Sequence, residues 1–538
     1  MAPYSAITVF AITVSFLTFG SSGRDDPYIT FSAAESIRDS GWLTNINGDA
    51  IEQSTSLLFT LILAFVSNVI PISIPILGWI LGFLSLGLLA VISVILLKQF
   101  LPRATAYLGA MVVATLPPIS YWAASGAEQV LAVAFLLSSL LTAAKLTGSP
   151  KSPRIIVGTS VLILLTFLTR PDVGLVAFAS ITAFALLKGF TQKWQDARRF
   201  TLAALLSMLA IISITAIRIA ITGSMVPQPL VAKLGLGVQE QIERGFAYLF
   251  ENLFNIYVFT LIGLLIVGLL LGSGRRLNTM QILLGLALVI SLSGVIVSGG
   301  DWMEAGRFFT IPVTLMAILI LTTLPRDSHL LVSVLVGVQI LIQIVTCLIW
   351  TNDPETYQTR GSLVENRWEL IASGSQGVLA SADNAYNRWN ADHLGDSYFL
   401  GEAIPIVADI LKRNPDQELV LTSGQGGMIP YFMRQEFGKQ IRFIDRFQLM
   451  GNEFKSCQTQ PGEYGRWIAW NFWQNNAGSC APELPDLVYS IGEYPVDDFG
   501  TDYTLIVDVR GDAYMGEDSL PQTQWLAART ELIQGSKP

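Results

Sequence analysis

Residues 54–70, STSLLFTLILAFVSNVI, decide the topology of this chain. The stretch is apolar in its middle, but it opens on polar residues and runs into Pro71 and Pro75. A bilayer-spanning helix needs about 20 mostly apolar residues. Other stretches meet that need better, at roughly 4–20, 74–97, 104–121, 128–146, 154–169, 172–189, 199–221, 254–272, 279–297, 308–324 and 328–350. If residues 54–70 also cross, the two ends of the chain share one side of the membrane. If they do not, about eleven spans remain and the ends lie on opposite sides.

Charge settles the choice. Lys98/Arg103, Lys145/Lys151/Arg154, Lys188/Lys193/Arg198/Arg199, Arg275/Arg276 and Arg326 occupy alternate connections, as cytoplasmic loops should. They fit a cytoplasmic N-terminus only if nothing crosses between Gly23 and Pro75. Residues 54–70 therefore read as an interfacial or re-entrant helix inside a first external loop, residues 21–73. The first apolar stretch reads as a retained anchor, because no clear small-residue cleavage site precedes Arg24. A signal peptide is the rival reading.

Composition agrees with a polytopic membrane protein: 51% hydrophobic and 14% charged residues, with mean hydropathy +0.51. The charge divides the chain. Residues 1–350 carry 19 Lys+Arg against 15 Asp+Glu, whereas residues 351–538 carry 14 against 26. The second part reads as an acidic extracytoplasmic α/β domain, with a helix at GEAIPIVADILKRN and strands at ELVLT, IRFID, DLVYSI and YTLIVDV. Nothing resembles a basic groove, so nucleic acid is not expected as a partner. Its WIAWNFW string offers aromatic surface, though core packing accounts better for the tryptophans.

Few residues are available for chemistry. There are three cysteines and two histidines, and no Cys/His cluster has zinc spacing. Cys347 reads as a small hydrophobe in the last apolar stretch. Cys457 and Cys480 can form a disulfide if the acidic domain faces an oxidising compartment. With His329 beside a span and His393 in the acidic domain, proton transfer falls to carboxylates.

On this topology the outward loops hold few bases: Arg24, Arg38, Arg170, Lys233, Arg244 and Arg307, with Arg218 about one turn below the surface. Several sit in unusual strings, GRDDPYITF, LTRPDVG, TGSMVPQPLVAK and SGGDWMEAGRFF. Bases are disfavoured on that side, so those present are candidates to bind an anionic group such as a lipid phosphate. Each base alone is better explained as an interface anchor. Asp25 and Asp26 alone are equally explained as a cap for the helix that begins near Pro27.

Taken together and in order, these strings resemble the GT-C glycosyltransferases, and within them the bacterial branch of terminal arabinofuranosyltransferases. RDDPYITFSAAESIRDSGWLTNINGDAIEQSTSLLFT is similar to that branch's first external loop. Thr169–Gly174 is similar to its T-R-P-E-G, Thr222–Lys233 to its Y-G-x-x-x-P-N-x-x-x-A-K, and Gly299–Phe308 to its G-G-D-F-M-x-x-x-R-F. GQGGMIPYFM and IRFIDRFQLMGN resemble two further motifs. EQSTSLLF departs from the family's E-G-Y-T-N-P-L-W, and Asp172 stands where the family has glutamate.

The resemblance implies a GT-C-like module over residues 1–350 and a soluble domain over 351–538, in a bacterial inner membrane. It implies inverting transfer of a sugar, such as a pentofuranose, from a polyprenyl-phosphate donor to a glycan or other cell-envelope acceptor. Asp25 or Asp26 would be the general base, and Arg170, Lys233, Asp301 and Arg307 would bind donor phosphate or substrate. A phosphate leaving group needs no acid, so a histidine-poor site suffices; bases alone can neutralise the phosphate, and a divalent cation as cofactor near Asp25, Asp26 and Asp301 is compatible with the scheme. The alternatives are a transporter of polyprenyl-linked glycans, which predicts ionisable residues buried mid-span, and a non-catalytic envelope protein.

Overall fold

The computed structural model describes residues 2–19, 25–147, 153–191, 193–233, 238–271, 276–301, 306–325, 329–352, 400–423, 426–457, 468–491, 502–510 and 523–534. The protein is a membrane-embedded helical bundle carrying an α/β layer. Among the described residues, Ile74–Leu97, Pro171–Phe190, Trp194–Thr222 and Thr279–Val297 are long and apolar enough to cross a bilayer. The pair Gln241–Leu253 and Ile256–Ile266 also qualifies as one span bent by 77°. Seven shorter apolar helices of 10–17 residues accompany them among the described residues.

Apolar sequence produces this bundle because in lipid each backbone group must be satisfied within the helix. Ser and Thr in the helices return their hydroxyls to backbone carbonyls of the preceding turn, as Ser93 does to Leu89 and Thr314 to Thr310. Leu86, Trp122, Leu137, Phe184 and Phe309 form one interior cluster. Leu202, Leu205, Leu209 and Ile212 on one long helix remain exposed, a stripe suited to lipid. Close helix approach uses small residues: a Cβ at Gly174 would stand 2.3 Å from Phe167 Cα.

The stretch expected to cross at 104–121 is two helices, Arg103–Ala114 and Pro117–Ala124. Pro117 and Pro118 cannot donate backbone hydrogen bonds into the preceding turn, so a new helix starts there. Residues 54–70 form the helix Leu57–Val69, 13 residues long. That length rises only about 20 Å, short of a hydrocarbon core of about 30 Å. Phe59, Thr60, Leu63 and Ala64 face inward, whereas Leu61, Phe65 and Val69 are exposed.

The helix Asp25–Ser40 lies against Leu57–Val69, Ile74–Leu97 and the helix Met428–Phe437 of the α/β layer. Tyr28, Phe31 and Ala34 share a buried cluster with Phe59, Leu63, Met428 and Tyr431. The Tyr28 and Tyr431 rings meet edge-on at 5.2 Å. The first loop thus joins the bundle to the layer.

The layer is built on a five-stranded sheet in the order β2-β1-β3-β5-β4. The strands are β1 (Leu419–Ser423), β2 (Ile441–Asp445), β3 (Leu487–Ile491), β4 (Tyr503–Arg510) and β5 (Thr523–Arg529). β1 runs parallel to β2 and β3, and β5 is antiparallel to β3 and β4. Four strands lie on the strings that predicted them, and the helix expected at 401–414 occupies 400–413. β5 was not foreseen. Ala403, Val407, Ile429 and Met433 cover one face of the sheet, together with Ile29 and Ile46 of the first loop. Phe454, Trp470, Trp473 and Trp525 cover the other, so Trp470 and Trp473 are core residues. Cys457 and Cys480 are joined by a disulfide with Cα atoms 5.0 Å apart.

Candidate active site

Arg307 organises the site. It stands in the 3-10 turn Arg307–Phe309 that leads into the helix Thr310–Thr323. Its Nε and Nη2 donate to the two carboxylate oxygens of Asp301 at 2.5 and 2.9 Å, a bidentate pairing. Its Nη1 donates to Asp26 from the first turn of Asp25–Ser40, 281 residues away in sequence. The guanidinium lies 5.7 Å from the Trp122 ring centroid and 5.5 Å from that of Phe308. Arg307 is buried, as is the Asp301 side chain, while Asp26 stays partly open to solvent.

Glycines allow the backbone to bring these groups together. Gly300 has φ +72°, and a Cβ there would stand 2.5 Å from Tyr248 Cβ. Gly306, at φ +54°, would place one 2.4 Å from Asn252 Oδ1. Gly300 and Gly306 are therefore pressed against the helix Val238–Leu253, an approach at positive φ that only glycine permits.

Arg170 forms an adjoining cluster at the break between Pro153–Thr169 and Pro171–Phe190. It donates to Asp172 through Nε at 3.1 Å and Nη2 at 3.0 Å, and to Glu128 through Nη1 at 3.1 Å. Its guanidinium also reaches the Phe308 ring, 5.7 Å from the centroid, so both arginines flank one aromatic side chain. Asp26, Asp301 and Arg307 thus meet directly, with Arg170 in the adjoining cluster. The backbone of Asp25 opens the same helix as Asp26, and that of Lys233 closes the helix Gln228–Lys233; their side chains lie outside the described residues.

Sequence reading missed Glu128 and Glu52. Glu128 precedes a buried helix and carries no motif, although a lone acid beside an apolar stretch is the signal that was available. Glu52 pairs with buried Arg218, which accordingly serves the first loop rather than the Arg307 cluster. The rest of the divergent EQSTS string is equally engaged. Gln53 donates to the Ile29 carbonyl and accepts from the Ile46 amide, Ser54 bonds Thr30, and Ser56 donates to the Thr169 carbonyl beside Arg170.

Among the described residues no three His, Cys, Asp or Glu side chains converge as a metal-holding group. Asp26 and Asp301 supply hard oxygen ligands that suit a divalent cation, but both are engaged by Arg307.

The sequence matches no protein-family model and no curated protein. Its fold does have solved neighbours. ArnT from Cupriavidus metallidurans bound to undecaprenyl phosphate superposes with TM-score 0.58 at 12% identity, over 98% of each chain. The apo state of the same enzyme gives 0.56 at 13% identity, over 99% of each. The mycobacterial arabinofuranosyltransferase AftD gives 0.51 at 12% identity, covering 98% of this chain and 40% of AftD. These neighbours are GT-C glycosyltransferases, and at such identity the shared property is the fold.

Proposed function

We propose that the protein is an inverting glycosyltransferase that moves a sugar from a polyprenyl-phosphate donor to a glycan acceptor on the extracytoplasmic side of a bacterial inner membrane. The observation that carries this reading is the meeting of Asp26, Asp301 and Arg307 at the junction of bundle and layer. It is supported by fold likeness to ArnT along both whole chains. A pentofuranose is the sugar we favour, from the resemblance to arabinofuranosyltransferases.

In the reaction the acceptor hydroxyl oxygen attacks the anomeric carbon as its proton passes to a carboxylate, Asp25 or Asp26. The bond from anomeric carbon to phosphate oxygen breaks, and its electron pair leaves with polyprenyl phosphate. A single displacement inverts the anomeric centre. Arg307, held by two carboxylates and two rings, is a preorganised cation facing the charge that develops on the leaving group.

Electrostatics adds a requirement. Asp26, Asp301, Glu128 and Asp172 surround Arg307 and Arg170, four carboxylates against two guanidiniums. An anionic phosphate therefore needs further positive charge, which we assign to Lys233. A divalent cation, when bound, would supply the same neutralisation.

Membranes containing the protein should release polyprenyl phosphate from a radiolabelled polyprenyl-phosphate pentofuranose and transfer the label to a glycan acceptor. Intact donor moved across the bilayer would overturn the transferase reading in favour of transport. Donor that is neither consumed nor moved would reduce the chain to a non-catalytic relative.

A further inference from the structure

Two of the strings singled out in the sequence, TGSMVPQPLVAK and IRFIDRFQLMGN, meet at one side chain. Gln228 begins the short helix that ends at Lys233. Its backbone amide donates to the Glu52 carbonyl at 2.9 Å. Its side-chain Nε2 donates to two carbonyls of the α/β layer, Gln448 at 2.9 Å and Gly451 at 2.8 Å. Both amide protons are thus used across the junction between the bundle and the layer.

The receiving turn is prearranged. The Asp445 carboxylate accepts from the backbone amides of Phe447, Leu449 and Met450 at 2.8, 2.6 and 3.0 Å. Gln448 adopts φ +55°, the one left-handed non-glycine backbone among the described residues. A residue is held there only where its surroundings determine it. Asn45 of the first loop donates to the Met450 carbonyl at 3.0 Å, fixing the turn from another side. The turn therefore presents two carbonyls to a side chain that must offer two N–H donors. Glutamine does so; the side chains of glutamate and alanine offer no donor to either carbonyl.

We propose that Gln228 is a positioning residue that sets the helix Gln228–Lys233 against the Asp445 turn, so that the α/β layer fixes the backbone that carries Lys233. The inference rests on the reading of Lys233 as a phosphate-binding base. It gives the layer a part in donor binding, apart from any use in holding the acceptor. Because Gln228 acts through Lys233, its loss changes affinity for the lipid phosphate and leaves the general base untouched.

The full-length protein in nanodiscs, titrated with undecaprenyl phosphate, tests this. Gln228→Met keeps the size of the side chain without its donors, and should weaken binding by about 5-fold, as expected for two lost hydrogen bonds. In turnover assays it should raise the donor KM and leave kcat within about twofold, since uniform binding is what it removes. Gln228→Asn keeps two donors on a shorter arm and should recover part of the affinity. In a Lys233→Ala background, Gln228→Met should add nothing, because residues acting through one another are non-additive. Unchanged affinity in Gln228→Met, or a fully additive double variant, would overturn the inference while Lys233→Ala still weakens binding. If Lys233→Ala itself binds normally, the assignment of Lys233 falls and the inference falls with it.

Discussion

The two ends of the first loop do opposite work. Its beginning, at Asp26, is ionic and partly open, and shares Arg307 with Asp301. Its later part, from Asn45 to Ser56, is saturated: Asn45, Gln53, Ser54 and Ser56 are buried and hydrogen-bonded, and Glu52 is closed by Arg218. Buried polar groups that are all satisfied make a rigid connection, and exposed charge with bonding capacity left over makes a reactive one. The contrast implies that perturbing the later part costs stability, while perturbing the beginning costs turnover.

Breaking the saturated end should give the largest effect. Arg218→Ala leaves the Glu52 carboxylate buried without its counter-charge, which typically costs about 3–5 kcal/mol. Arg218→Met with Glu52→Gln removes both charges and should recover most of that loss. Equilibrium unfolding in detergent measures both. An unaffected Arg218→Ala protein would mean that the later part of the loop is not what holds the first loop in place.

The beginning should respond in activity alone. Asp→Asn keeps shape and capping ability but removes basicity, so one of Asp25→Asn and Asp26→Asn should lower turnover by about 10²-fold or more with an unchanged melting temperature. We expect Asp26 to be that residue, since Arg307 fixes its carboxylate. Full activity in both variants would end the catalytic reading and leave the pair as structural.

A smaller loss should follow from Arg307→Lys. The charge stays, but the forked donor set that serves Asp301 and Asp26 together does not. Turnover about 10-fold lower matches the worth of roughly one charge-assisted hydrogen bond. Equal activity would make Arg307 a point charge and dissolve the distinction between the loop's two parts.

Much of this architecture was legible in the sequence, for reasons that also mark where legibility ended. Alternating basic loops and a helix too short to cross set the reading of residues 54–70, since charge placement and length are local properties. Arg170 and Arg307 stood out as bases where bases are disfavoured, and Asp26 and Asp301 through the strings that resemble the glycosyltransferases. Their contacts across as many as 281 residues were suggested only by the order of motif-like strings. Glu52 and Gln228 lay within such strings without being singled out, because a single polar residue acquires its partner only on folding. Strand β5, TQWLAAR, breaks the apolar alternation with two alanines, and its partners β3 and β4 supply the pairing that its sequence does not announce.

The smallest expected effect probes the turn on which the saturated end docks. Burial, the largest influence, raises Glu453 to about 7, with Asp445 and Asp49 adding to the rise and Arg442 opposing it. Burial likewise raises Asp445 to about 6, against the three amides that favour its charged form. A carboxylate whose folded pKa is raised holds its proton more tightly when folded. Stability is then greatest below the ordinary carboxylate range and falls as pH rises toward about 7, because the unfolded chain has already released that proton. Glu453→Gln removes this dependence at one position, where Oε2 has no hydrogen-bond partner among the described residues. The variant should unfold at a higher temperature than the parent at pH 8, and the gap should close at pH 5. The effect is small because the residue is only partly buried and solvent screens the charge. Parallel pH profiles for the two proteins would show that Glu453 contributes nothing to how the layer sits on the loop.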